Sequence, residues 1–162
     1  MNIIDKKLYK LNPVYLAEYE DLIRSHSQFG GGASENKFIQ AKSFSNVYEF
    51  YIYAFFIGLY KNKKVEIISE DKTKSFWEMD NWKPKELVDY LIICAIAESE
   101  FDMVAIEQMD EKDASEHIKL LKQEIEKYAN GGLRYINDKL EEEPELKDDD
   151  MFFISLLSEA GM

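Results

Sequence analysis

Cysteine, proline, glycine and histidine are all scarce in this 162-residue chain, which has one, three, seven and two of them respectively. A lone Cys94 cannot close an internal disulfide, so the chain reads as a cytoplasmic protein of a reducing compartment. So little proline and glycine excludes a collagenous or low-complexity chain. With no cysteine pair, no histidine pair and no His-Glu-x-x-His helix, zinc chemistry has no ligand set, and no metal or cofactor is expected. No apolar run approaches the ~20 residues of a membrane span, and MNIIDKKLYKL lacks the apolar stretch of a signal peptide. Bases are also short, at 20 against 32 acids, for a net charge of −12. Direct nucleic-acid binding is therefore not expected, since a field of that sign repels phosphate backbones.

What is present suffices for a core. Apolar residues make up 46% of the chain, and a domain of this length buries roughly 70% of its unfolded surface. A single helical domain over residues 1–162 is expected. Its charge is lopsided: residues 1–97 carry 13 acids and 13 bases, whereas residues 98–150 carry 18 acids and 7 bases. The excess predicts a basic protein partner for the acidic half, residues 98–150, while leaving the oligomeric state open.

The pattern predicts an all-α bundle of five or six helices. Asn12-Pro13 reads as the start of a helix running to about Ser25. Gly30, Gly31 and Gly32 read as a hinge, without the Gly-Lys-Ser/Thr ending of a phosphate loop. Asn46 with Glu49 predicts a capped helix over Val47–Tyr60, apolar nearly all round and hence central, burying Phe50, Tyr53, Phe56 and Ile57. Val65–Ile68 suggests a short strand or extended stretch. Pro84 opens the next helix, in which Cys94 reads as a buried small hydrophobe. Asp102–Gln108 suggests a short turn, and Asp110 with Asp113 the start of a longer helix. Asn130-Gly131-Gly132 reads as its stop, with a further helix before Pro144 and a last one from Asp150.

Site candidates are few. Nucleophilic catalysis wants Ser or Cys with His, yet only His26 and His117 are available. Paired carboxylates for glycoside hydrolysis offer Glu98 and Asp102 as generic candidates, near tryptophans that stack on sugars. Phe76, Trp77, Trp82 and Lys83 lie in a lysine-rich connection, where they form a contact site or else cover the end of the bundle.

Three segments together resemble a known family. Tyr53–Lys63 is an aromatic helix ending at a glycine and a basic turn. Ile92–Glu98 is an apolar helix ending in Ala-Glu. Glu126–Leu133 contains Tyr-Ala-Asn-Gly-Gly. In this order, over residues 45–142, they are similar to small proteins associated with bacterial Dnd-type DNA phosphorothioation and restriction islands. The resemblance implies an accessory or adaptor role in DNA modification or phage defence, through protein contacts and without enzymatic activity. It supplies no active-site residues. A small carbohydrate or nucleotide hydrolase and an acidic DNA mimic stand as the alternatives.

Overall fold

The computed structural model describes residues 3–27 and 43–159, with the side chains of residues 3–5 left aside. The fold is all-α, as expected. Seven helices are present among these residues: α1 (Ile3–Tyr9), α2 (Glu20–His26), α3 (Val47–Lys61), α4 (Lys85–Glu98), α5 (Met103–Glu107), α6 (Glu111–Glu142) and α7 (Phe152–Glu159). Two of them were not expected as helices: α1, and α5, where the sequence suggests a short turn. The only sheet among the described residues pairs β1 (Tyr15–Leu16) antiparallel with β2 (Thr73–Lys74). No described helix is long and apolar enough to cross a membrane. Gly30, Gly31 and Gly32 lie outside the described residues.

Local chemistry sets several helix ends where the sequence places them. The Asn46 side chain accepts from the Glu49 amide, and Glu49 Oε2 in return accepts from the Ser45 amide at 2.6 Å. At the other end Asn62 takes the left-handed conformation, φ 53°, and the Lys63 amide donates to the Gly58 carbonyl. Asp110 caps α6 through the Asp113 amide, and Asp102 caps α5.

The centre is a helix pair, α3 against α6. Phe50, Tyr51, Phe55 and Ile57 are fully buried and Phe56 nearly so, whereas Tyr53 is only partly covered and donates its hydroxyl to the Phe153 carbonyl. Phe44, Phe50, Tyr53 and Phe153 form an aromatic cluster that seats α7.

Four sequence expectations need correction. Asn130-Gly131-Gly132 does not end a helix: α6 runs through it for 32 residues, about 48 Å at 1.5 Å per residue. A Cβ on Gly132 would lie 1.8 Å from the Ala54 carbonyl oxygen, and one on Gly58 2.0 Å from that of Tyr128. The glycines are therefore places where two helix backbones touch. Nor does Asn12-Pro13 start a helix. The Val14 amide donates to Glu126 Oε2 and the Leu16 amide to Asn130 Oδ1, both at 2.9 Å, which holds residues 14–16 extended before a 3-10 turn at Ala17–Tyr19 leads into α2 at Glu20. Of the short strand or extended stretch expected at 65–68, no strand forms there: the described strand is Thr73–Lys74, while the Val65 amide donates to the Lys127 carbonyl of α6. Cys94 is half-buried rather than buried, because its side of α4 faces outward.

Candidate functional site

The aromatic contact candidates separate. Trp82 is buried, its ring stacked on Phe76 at 5.4 Å and edge-on to Tyr51 at 5.6 Å, and its indole N–H donates to the Trp77 carbonyl. Phe76 is half-buried. Trp77, 52% exposed, and Lys83 remain on the surface. One tryptophan thus completes the core while the other lies open. Iodide should accordingly quench one indole and spare the other, leaving a quenching curve that levels off part-way. A curve showing both indoles accessible would contradict this placement.

The generic carboxylates also divide. Asp102 Oδ1 accepts from the amides of Val104 and Ala105, which commits it to capping α5. Glu98 Oε2 instead accepts from the Tyr128 hydroxyl at 3.4 Å. His117 Nδ1 lies 2.9 Å from the Asp113 carbonyl one helical turn back. His26 packs edge-on against Phe50 and Phe153. Desolvation pushes the Cys94 thiol up, Glu98 adds to the shift, and a hydrogen bond with Tyr90 opposes it. A thiol held in that direction is a poorer nucleophile at neutral pH. Among the described residues no three His, Cys, Asp or Glu side chains gather as a metal would need.

Around Glu98 the structure assembles a cleft that the sequence did not reveal. Its volume is about 450 Å³, and Lys64, Glu98, Glu100, Phe101, Leu120 and Glu124 line it. The end of α4 supplies Glu98, the middle of α6 supplies Leu120 and Glu124, and the connection leaving α3 supplies Lys64. The Lys64 ammonium sits 2.8 Å from Glu124 Oε1 and 4.8 Å from the Tyr128 ring centroid. The hydrogen bond to Glu124 raises the Lys64 pKa above its ordinary value, so the ammonium is held charged. Lys127 approaches Glu124 at 3.9 Å as well. Both cleft lysines lie against Glu124, so three carboxylates against two ammoniums leave the lining at −1, with Glu98 and Glu100 exposed beside Leu120, which is 59% exposed. The apolar wall and two available carboxylates suit a basic side chain with an aliphatic stem, an arginine above all.

The three segments that carry the family resemblance meet here. Tyr53–Lys63 delivers Lys64 just beyond its end, Ile92–Glu98 finishes on Glu98, and Glu126–Leu133 contributes Tyr128. Lys64 and Tyr128 escaped notice in the sequence because each lies more than 25 residues from Glu98. The one available signal was that Ile92–Glu98 ends on a cleft carboxylate and Tyr53–Lys63 stops one residue short of Lys64.

Compared with families of known sequence pattern, residues 35–160 match the model described as DNA sulphur modification system-associated protein 4. The match extends beyond residues 45–142 on both sides and takes in α7. No curated protein and no solved structure matches the chain.

Proposed function

Since this chain belongs to the DNA sulphur modification system-associated protein 4 family, we propose that it serves that system as an accessory protein acting through protein contacts, without enzymatic activity of its own. It works in the cytoplasm, on DNA modification or on the phage defence coupled to it. The observation that supports the reading is the Glu98–Glu100 edge of the cleft, where two exposed carboxylates border Phe101 and Leu120 while Lys64 and Lys127 face Glu124, so that the lining keeps a net charge of −1. Its partner is a basic protein that inserts an arginine or lysine there. The field of a −12 chain steers such a partner in, and screening over about 8 Å at physiological salt makes the encounter salt-dependent.

Direct DNA binding is not part of this role. One groove between α1 and α6 does collect Lys6, Lys7, Lys10, Lys119 and Lys122. Acids largely take them up: Glu111 on Lys7 at 3.4 Å, Asp80 on Lys10 at 3.2 Å and Glu126 on Lys122 at 3.6 Å. Two lysines fall short of the several phosphate contacts that non-specific binding uses.

The test pairs the full chain with the proteins of the modification system. A basic component should bind, its association should slow as salt rises, and Glu98→Gln with Glu100→Gln should weaken capture about tenfold. Fluorescence anisotropy on bare duplex should show no binding at physiological salt. Capture that ignores both substitutions, or tight duplex binding lost on Lys119→Glu, would refute the reading.

A further inference from the structure

The groove between α1 and α6 holds about 370 Å³ and, among the described residues, is lined by five lysines and by no acid. Helical spacing builds it. Ser115, Ile118, Lys119 and Lys122 recur at i, i+3, i+4 and i+7, which sets them on one face of α6. Lys6 and Lys10, one turn apart, line it from α1 and the turn that follows, with Lys7 and Leu11 beside them. Ile118 is buried and Leu11 half-buried, so the floor is apolar and the lysines stand around it. Three of the five ammoniums have carboxylates of their own: Lys7 meets Glu111, Lys10 meets Glu78 and Asp80, and Lys122 meets Glu126. Five bases against those four acids leave +1, in a chain of −12. The surplus falls on Lys6 and Lys119, one from each wall and both exposed. Among the described residues no carboxylate lies within 4.0 Å of either.

We propose that this groove docks a short acidic segment of another protein, one that sets a large apolar side chain between carboxylates. Charge and floor select that occupant together. Two unpaired ammoniums beside an apolar floor match carboxylates beside an aliphatic side chain, and the lysine stems extend the floor. A phosphate backbone fits less well. It brings no apolar group for Leu11 and Ile118, and it meets Glu78, Asp80 and Glu111 on the groove's own lysines. The groove also has a counterpart of opposite sign. At about 3.6 residues per turn, the Leu120 and Glu124 that line the Glu98 cleft lie roughly half a turn around α6 from Ser115 and Lys122. One helix thus offers a cationic groove on one side and an anionic cleft on the other, as a chain that bridges an acidic and a basic component requires. The inference is independent of the docking role of Glu98, because an acidic segment can seat with that cleft empty.

The probe is a capped peptide, Glu-Glu-Leu-Leu-Glu-Glu, titrated into the isotope-labelled full chain at low salt. Amide resonances of residues 6–11 and 115–122 should move, and the affinity should fall as salt rises. Lys6→Glu with Lys119→Glu should weaken the peptide more than about tenfold. Both side chains are exposed, so the helical circular dichroism of that variant should stay that of the parent. A peptide with serine in place of both leucines should bind about fivefold more weakly, because the floor then gains nothing. No movement of these amides at millimolar peptide overturns the proposal, as does binding that ignores the two charge reversals. Equal binding of the serine peptide overturns it too, since charge alone would then account for the contact. A short DNA duplex that moves the same amides would assign the groove to phosphate instead. Self-association of the chain that Lys119→Glu abolishes would likewise overturn it, because the acidic segment would be the chain's own.

Discussion

Replacing Gly132 by alanine should destabilise the protein by more than about 3 kcal/mol, and replacing it by valine should prevent folding. In an ordinary helix interior the alanine would help, since glycine there costs about 0.5–1 kcal/mol. Here an added Cβ would lie 1.8 Å from the Ala54 carbonyl oxygen and 2.6 Å from its carbon. Those are backbone atoms in the middle of α3, which cannot swing aside as a side chain does. Relief requires α3 and α6 to separate, and that loosens Phe50, Phe55, Ile125, Leu133 and Ile136 together, all of them fully buried. Overpacking of this kind typically costs 1–3 kcal/mol at one site, and here it falls on the central helix pair. At about 2–4 °C per kcal/mol for a domain of this size, the melting temperature should fall by roughly 6–12 °C. Gly131→Ala is the comparison. Its Cβ would meet the carbonyl oxygen of Lys63 at 2.0 Å, in a connection beyond the end of α3 that has more room to yield. Thermal melts should therefore rank Gly132→Ala below Gly131→Ala, with the parent above both. A Gly132→Ala protein as stable as the parent would show that the two backbones do not touch.

The same glycines mark the limit of what the sequence made legible. Asn46 with Glu49, Pro84 and Asp110 with Asp113 placed three helix starts correctly, because a cap acts over three or four residues and its chemistry is local. Asn130-Gly131-Gly132 has the local chemistry of a helix stop. What overrides it is contact with Ala54 and Lys63, more than 65 residues away, and no window along the chain contains that information. Asn12-Pro13 misled for the same reason: the groups that hold Val14 and Leu16 extended belong to Glu126 and Asn130. Trp77 and Trp82 could not be told apart because their connection has no period from which burial could be read. Of the cleft, Glu98 was visible only as one carboxylate among many. Lys64, whose charge Glu124 takes up, became visible once the chain was folded.

Asn130→Ala should cost about 2–3 kcal/mol and release the N-terminal strand. Asn130 is fully buried, and its amide serves both sides of one extended segment. Oδ1 accepts from the Leu16 amide at 2.9 Å, while Nδ2 donates to the Val14 carbonyl at 3.1 Å. The Val14 carbonyl keeps a second donor, the Tyr51 hydroxyl at 2.8 Å. The Leu16 amide has no such substitute, so truncation strands a donor in a buried place, at a penalty of about 1–3 kcal/mol, and leaves a small void besides. Amide exchange at Leu16 should speed up first, followed by Ala17, whose amide donates to the Lys72 carbonyl beside β2. Asn130→Asp separates the hydrogen bonds from the charge. It keeps an acceptor for Leu16 but loses the donor to Val14, and it places a second carboxylate one helical turn from Glu126. Burial already holds the Glu126 carboxyl above its ordinary pKa, against the opposing pull of the Val14 amide and Lys122. The new carboxyl would be raised in the same way. For an acid whose folded pKa exceeds its unfolded one, stability is fully present below the unfolded value, near pH 4, and is lost as pH rises through the folded one. Chemical denaturation of Asn130→Asp should therefore show it closest to the parent at about pH 4–5 and weakest at pH 7 and above. Asn130→Ala should trail the parent by a near-constant margin over that range. An Asn130→Asp protein equal to the parent at pH 7 would mean that Asn130 and Glu126 are not buried together.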